Sequence, residues 1–580
     1  MRISQRRAAA AAALTSFATA FLACNAIFGI TPGQGAAATG SGGTTTASNS
    51  SSSGATTTTS SSTGTTASGG MDSGKPLACD GTDPGIDGQT ALWANHANAA
   101  TGFGLGILAD ATLVVAGNFY GTSTYFGSAP LDYSDAGVGF NVSAFATHYR
   151  HDGYDLSAAS FTGPGTVGLS SNDRFINTTF HVAVDKQGRT ALAGGFRGSF
   201  TLGAVTLTAA APDGGGNEDG FVVLLDKTGA PLWTAKQLGG SINDTASAVA
   251  IDSAGDVVVV GVSYIDAGGV TADYGCGPQA VPANQAGDAV FVTKIKPDGT
   301  CAWPTSQVFA VANSFLDAVN RGHGLAVAVD PQDNIILVGG AYPTNTIIGQ
   351  NMLGANTDLD AFVAKLAASD GSVMWRQPYG GPGDQYATAV AVDLCGNILL
   401  GGSFTGSTAT FDGVTLHAPA GNFDHIFLAK LSVDLAHPAK PAVTQWARAL
   451  ADLGNQSITA IAVNQASDVA IVGNLVDDVG STGVDFGKDL TSTQVKLAHP
   501  GSTPGQMDGY VAKFKADGAL RWAKRWGGAG TIEQAFGVAM DDAGHLAMTG
   551  YFETPTTLVF GPGVQLTPTS QDVFTVEYGP

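Results

Sequence analysis

The sequence predicts an all-β chain: a closed seven-bladed β-propeller of four-stranded antiparallel blades, with an N-terminal strand completing the last blade. Three observations predict it. A phrase of about 70 residues returns seven times along the chain. Each copy holds four short runs of strand type, with no sustained helical period. The two ends of the repeat region carry complementary fragments of one blade.

The clearest copy runs Asp360-Ala-Phe-Val-Ala-Lys365, then Trp375, then Ala389-Val-Ala-Val-Asp393 and Gly396-Asn-Ile-Leu-Leu-Gly401. Its Asp-led segment recurs at Ser143–Tyr149, Asp219–Leu225, Asp288–Lys294, Asp360–Leu366, Asp424–Lys430, Asp508–Phe514 and Asp572–Tyr578. The tryptophan position recurs at Trp93, Trp233, Trp303, Trp375, Trp446 and Trp522, with Phe161 expected in the remaining copy. A turn position recurs at Asp110, Asp185, Asp252, Asp330, Asp393, Asn464 and Asp541. The runs are rich in Val, Ile, Leu and Phe and are bounded by Asp, Gly, Asn or Pro, as short strands are. Asp-x-x-Gly at Asp393–Gly396 is a hairpin signal, because glycine accepts the positive φ that a tight turn requires. A second turn, such as Lys227-Thr-Gly229 or Ala516-Asp-Gly518, joins the Phe-Val strand to the tryptophan strand. Two hairpins per repeat make one four-stranded blade.

A single blade cannot bury its own faces, so blades must stack, and a radial stack leaves only short, protected edges. The first tryptophan strand, Thr90–Asn95, has no Phe-Val partner before it, and the last Phe-Val strand, Asp572–Tyr578, has no tryptophan strand after it. Pairing these two halves closes the ring. The repeated phrase resembles the bacterial SBBP β-propeller repeat family from about Thr90 to the C-terminus, although Phe145–Tyr149 lacks the leading Asp and Asn464 replaces the turn Asp. That resemblance implies a propeller and an extracytoplasmic location, not a chemistry. The Thr/Asp-Gly-x-x-x-Trp phrases ending at Trp233, Trp375 and Trp522 also look like the tryptophan-docking phrase of pyrroloquinoline-quinone propellers, which implies packing between blades.

Residues 1–23 read as an export signal: Arg2, Arg6 and Arg7 precede an apolar run from Ala8 to Ala23, too short for a membrane span. Phe21-Leu-Ala-Cys24 is similar to the bacterial lipobox, which implies lipidation at Cys24; an ordinary cleaved signal ending at a cysteine is the alternative. Residues 24–75 read as a disordered tether of Gly, Ala, Ser and Thr, which cannot bury enough apolar surface to offset ordering entropy. The propeller occupies 76–580. The localisation expected is the cell envelope, as a lipoprotein of the outer membrane or cell surface, or otherwise secretion.

A net charge of −21 argues against nucleic acid or anionic lipid as a partner, since both require basic patches. Membrane contact is therefore expected through the lipid alone, and the chain is expected to be a monomer. Export permits disulfides. Cys276 and Cys301 fall in one repeat and form the candidate bridge, although the pairings of Cys79, Cys276, Cys301 and Cys395 remain open. His148 and His151 have metal-ligand spacing, but in a strand-turn they are read as incidental. The interblade crossings repeat Gly-Gly followed by an acid, giving Asp244, Asp384 and Glu533. Converging at the channel mouth, these carboxylates would suit Ca²⁺; as isolated groups they would cap backbone N–H groups beside a tight crossing. No other cofactor is expected.

No catalytic residue is predicted, because no nucleophile-elbow, zincin or phosphate-loop motif occurs. The long excursions at Val476–Asp508, Ile265–Gly287 and Pro304–Gly322 fall on one face by strand alternation, so ligands are expected there. The function expected is a non-catalytic binding module for a protein or glycan. The alternative is an extracytoplasmic enzyme, a lyase, hydrolase or quinone-dependent protein, with its site at the channel mouth.

Overall fold

The first strand of each repeat packs against the first strand of the next, all the way round, in a closed inner ring of seven. The computed structural model describes residues 89–579 apart from 133–142, 162–180, 312–324 and several shorter stretches. The export signal, Cys24, the tether and Cys79 lie outside the described residues. Every regular element described is a β-strand. Seven four-stranded antiparallel sheets span 100–161, 181–238, 244–311, 326–379, 385–450, 454–526 and 534–578, here blades 1 to 7. Ala91–Asn98 is the outer strand of blade 7 and pairs with Gln571–Tyr578 in a register running from Ala91↔Tyr578 to Asn98↔Asp572. The ring is therefore closed by hydrogen bonds between the ends of the repeat region.

Blades diverge from the axis, and the sequence fills the widening gap in stages. Near the axis only small residues fit. A Cβ added to Gly104 of blade 1 would lie 2.5 Å from Val182 Cγ2 of blade 2, and one on Gly401 of blade 5 would lie 2.7 Å from Ile461 Cδ1 of blade 6. In the middle, strands such as Ile398–Phe404 are buried on both faces, which is why they read as continuous apolar runs rather than alternating ones. Further out stand the tryptophans. Trp303 of blade 3 donates its Nε1–H to the Ala368 carbonyl in the turn before the outer strand of blade 4 (3.0 Å), and Trp446 of blade 5 does the same to Ala516 of blade 6 (3.1 Å). Of the tryptophans that end the Gly-x-x-x-Trp phrase, Trp233 packs against Gly299 of blade 3 and Trp522 against Tyr578 of blade 7 (5.5 Å), contacts between blades made without an indole hydrogen bond.

The occupant of this position in blade 1 differs from the expected Phe161. Trp375, Trp446 and Trp522 stand opposite Lys365, Lys430 and Lys513 in their sheets. The equivalent pair in blade 1 is His148↔Ser157, while Phe161 stands opposite Ala144 at the far end of the strand. Blade 1 therefore carries serine where the other blades carry tryptophan.

Two repeated polar devices explain the acids of the phrase. The turn aspartate folds its own hairpin and holds a lysine from the third strand: Lys294–Asp252 (2.6 Å), Lys365–Asp330 (2.7 Å) and Lys430–Asp393 (2.9 Å) are buried pairs of this kind. The aspartate that leads the third strand instead accepts from the outer strand, Asp508 from Arg525 (2.7 Å) and Asp572 from His96 (2.8 Å).

Each blade also inserts a small two-stranded hairpin between its second and third strands, giving seven further sheets. All seven contact the outer strand of the preceding blade. They fold back into the outer wedge between blades, so the excursions Ile265–Gly287 and Val476–Asp508, expected on one face, build hairpins of the perimeter, whereas Pro304–Gly322 holds the outer strand Gln307–Val311 and from residue 312 lies outside the described residues. Their aromatic residues supply the driving force. Phe411 packs on Tyr379 of blade 4 (5.2 Å between centroids) and on Phe427 of blade 5 (4.9 Å), and Phe560 packs on Trp526 of blade 6 (5.8 Å) and Phe574 of blade 7 (5.5 Å).

Candidate functional site

Between blades 5 and 6 the perimeter opens into a cleft of about 550 Å³, within the usual range for ligand sites. One wall is the blade 5 hairpin, Thr408–Phe411 and Val414–His417, joined by Asp412-Gly413. Both turn residues have positive φ (45° and 88°), the backbone of a tight two-residue hairpin. The base is the outer strand Val443–Leu450, and the far wall is the blade 6 hairpin, Val484–Lys488 and Gln494–Leu497.

His417, Pro419, Arg448, Asp485, Phe486 and Gln494 give the cleft its chemistry. Phe486 is fully buried and forms an apolar floor against Tyr510 (5.3 Å). Asp485 is committed locally: it accepts the Gly487 N–H (2.8 Å) and the Gln494 side-chain amide. Arg448 has no hydrogen bond or ion pair among the described residues. Its side chain runs beside two glycines of blade 6: an added Cβ would stand 3.2 Å from Nε at Gly518 and 3.4 Å from Nη1 at Gly487. Burial pulls Arg448 below its ordinary value, against the pull of Asp517. A guanidinium stays protonated in this setting, so a partly desolvated cation faces the cleft, acted on by Asp517 but in no direct ion pair among the described residues. The arrangement suits a carboxylate.

The acids singled out from the sequence lie elsewhere and apart. Asp244, Asp384 and Glu533 stand at the heads of the first strands of blades 3, 5 and 7. Asp244 accepts the Gly240 N–H (2.7 Å), and burial pushes its carboxyl up to about 7. Asp384 accepts the Leu359 N–H (3.3 Å), and Glu533 is buried with its own N–H on the Met507 carbonyl (3.0 Å). Among the described residues no group of three or more His, Cys, Asp or Glu is placed to hold a metal ion. Close to Asp244, burial also pushes Glu218 up to about 7, opposed by Arg197 at 3.6 Å.

The Cys276 and Cys301 sulfurs are bonded, with Cα atoms 5.5 Å apart. The bridge ties the tip of the blade 3 hairpin to the segment entering its outer strand. His148 is buried and His151 is exposed, and the His151 carbonyl receives the Trp93 indole (2.7 Å). Asp477 pairs with Arg525 (2.9 Å), whereas its neighbour Asp478 caps the Val479 N–H (2.7 Å). Sequence reasoning missed Arg448, because nothing in its own strand marks it. Its setting comes from Gly487 and Gly518, which are distant in the chain.

No known protein family and no curated protein matches the chain. Among solved structures it is similar to a protein of unknown function from Dyadobacter fermentans (10% identity, 71% of this chain and 98% of that one, TM-score 0.33). It is also similar to the quinohemoprotein alcohol dehydrogenase ADHIIG from Pseudomonas putida (12% identity, 85% and 76%, TM-score 0.33). A third likeness is to BamB from Moraxella catarrhalis (12% identity, 79% and 99%, TM-score 0.30). At these scores the likenesses carry no argument about this chain, whose fold rests on its own sheets.

Proposed function

We propose that the protein is a non-catalytic binding module of the SBBP-repeat type, exported to the cell envelope, anchored there by a lipid on Cys24, and engaging an acidic protein or glycan through the cleft between blades 5 and 6. The observation that carries the binding reading is Arg448, half-buried beside a 550 Å³ cleft and without an ion-pair partner among the described residues. Leaving a cation partly desolvated costs free energy that a bound carboxylate would offset. The overall charge of −21 opposes an acidic partner only through carboxylates within about 8 Å of it, since physiological salt screens the rest. The address rests on Arg2, Arg6, Arg7, the apolar run and the lipobox-like Cys24.

Calorimetric titration with an oligogalacturonate and a neutral oligosaccharide of equal length, alongside a Glu-rich peptide, tests the reading. One acidic probe should bind and the neutral one should not, and Arg448→Gln should weaken binding at least tenfold. Equal binding of the acidic probe by Arg448→Gln would refute the site. Repeating the melting curve with Ca²⁺ tests whether Asp244, Asp384 or Glu533 contributes a metal-dependent stability by mass action.

A further inference from the structure

The tryptophan series has one gap, and the gap is a cavity. At four boundaries the indole lies against the glycine of the next blade's turn. An added Cβ would stand 2.9 Å from Trp93 at Gly153, 2.9 Å from Trp233 at Gly299, 2.7 Å from Trp303 at Gly371 and 3.0 Å from Trp446 at Gly518. At the boundary between blades 1 and 2 the corresponding glycine is Gly229, and an added Cβ there would meet nothing within 4 Å. The strand position that should supply the ring is Ser157.

A cavity of about 220 Å³ occupies this boundary, lined by Leu108, Asp110, His148 and Leu156 of blade 1 and by Lys186, Gly188 and Lys227 of blade 2. An engineered apolar cavity of about 150 Å³ is enough for benzene, so this one has room for a bicyclic ring. Leu108 and His148 are buried, while Asp110, Leu156, Lys186 and Lys227 are exposed, which gives an enclosed end and an open mouth where two ammonium groups outnumber one carboxylate. The docked indoles of Trp93 and Trp446 donate to the carbonyl two residues before the turn glycine, those of His151 and Ala516. In blade 2 that carbonyl belongs to Lys227, and no described hydrogen bond ends on it.

We infer that this cavity is a binding site for an indole-type aromatic bearing an acidic group. The ring takes the place that tryptophan fills at the other boundaries, between Leu108 and Leu156 and beside Gly188 and Lys227. Its N–H donates to the Lys227 carbonyl, and its acid faces the ammonium groups of Lys186 and Lys227. A free indole acid and a tryptophan at the carboxy end of another chain present the same chemistry. The inference is independent of the cleft between blades 5 and 6.

Calorimetry with N-acetyltryptophan on the whole protein tests it. A ligand of this size should bind with Kd of about 0.1–1 mM, and the neutral amide, N-acetyltryptophanamide, should bind several-fold more weakly. Ser157→Trp restores the docked ring from within, so it should raise the melting temperature and abolish binding. Leu156→Glu changes a side chain that is 54% exposed; it should leave melting unchanged, weaken binding at least fivefold, and decide the matter if Ser157→Trp fails to fold. Tighter binding of a peptide ending in tryptophan would support the site with a partner chain as its occupant; equal affinity would support it with a free acid. Absence of binding at about ten times the expected Kd, or undiminished binding by folded Ser157→Trp or by Leu156→Glu, would overturn the inference.

Discussion

Lys430→Met removes one charge of a buried pair and tests whether the recurring turn aspartate holds the blades as described. Lys430 Nζ lies 2.9 Å from Asp393 Oδ2, and the two side chains are 5% and 0% exposed. The carboxylate also accepts the Cys395 and Asn397 N–H groups on Oδ1 (3.0 and 2.8 Å), and Asn397 Nδ2 and Ser467 Oγ on Oδ2 (2.9 and 3.0 Å). Those four donors are neutral, so losing the ammonium leaves a desolvated charge held by dipoles alone. Breaking a buried pair costs about 3–5 kcal/mol, and the remaining hydrogen bonds put this one near the low end, about 3 kcal/mol. Asp393→Asn should cost a similar amount by stranding the lysine. The double variant removes both charges and keeps an acceptor for the turn, so it should cost about 3 kcal/mol in total rather than 6, a coupling of about 3 kcal/mol. Guanidinium unfolding followed by the fluorescence of the seven tryptophans measures all three. Lys440, 61% exposed and 3.8 Å from Asp434, is the control, and Lys440→Met should stay within about 0.5 kcal/mol of wild type. Additive single effects, or a Lys430→Met cost no larger than the control, would refute the account.

Four further outcomes follow from the same geometry. Gly371 (φ 72°) and Gly229 (φ 83°) share a left-handed backbone, but only Gly371 faces an indole; Gly371→Ala should therefore cost about 1–3 kcal/mol more than Gly229→Ala in thermal unfolding. Replacing Cys276 and Cys301 by serine opens a loop of 25 residues and should lower unfolding free energy by about 3 kcal/mol, measured in guanidinium without reductant. Burial raises the Glu218 carboxyl from 4.5 to about 7, so its contribution is present in acid and lost as pH rises through 7; Glu218→Gln should gain up to about 3 kcal/mol relative to wild type between pH 4 and pH 8. Burial lowers His181 from 6.5 to about 3, which has the opposite sense: its contribution is present above 6.5 and lost as pH falls toward 3, and His181→Gln should flatten that acid limb of a stability-against-pH curve.

The seven blades were legible because each is specified locally, by a hairpin turn and strands buried on both faces, and then repeated. The perimeter hairpins were harder to read. Their strands are two to five residues long, below the length at which alternation is visible. A signal was present all the same in the recurring aromatic-glycine turns Tyr274-Gly275, Phe411-Asp412-Gly413, Phe486-Gly487 and Phe560-Gly561. Assigning the blade 1 tryptophan position to Phe161 failed for a simple reason of register. Trp233, Trp375 and Trp522 each follow their turn glycine by four residues, and four residues after Gly153 is Ser157. Arg448 was beyond reach, because the residues around it, Gly487 and Gly518 among them, belong to another blade.

Both openings in the perimeter have one geometric cause. Radial blades touch through glycine and alanine near the axis, where Gly104 and Gly106 admit only the Val182 and Val184 side chains. The gap then widens outward and must be filled or left to solvent, since a buried void forfeits dispersion contacts on its lining. Tryptophan fills it first and the small hairpin second. Openings therefore arise where a filler is smaller or where two hairpins stand apart: serine replaces indole at the boundary of blades 1 and 2, and the hairpins of blades 5 and 6 leave Arg448 between them. The filled boundaries hold the ring together whatever occupies these two. Substitutions at the rim can thus change what the protein binds while the inner strands, which carry closure, stay as they are.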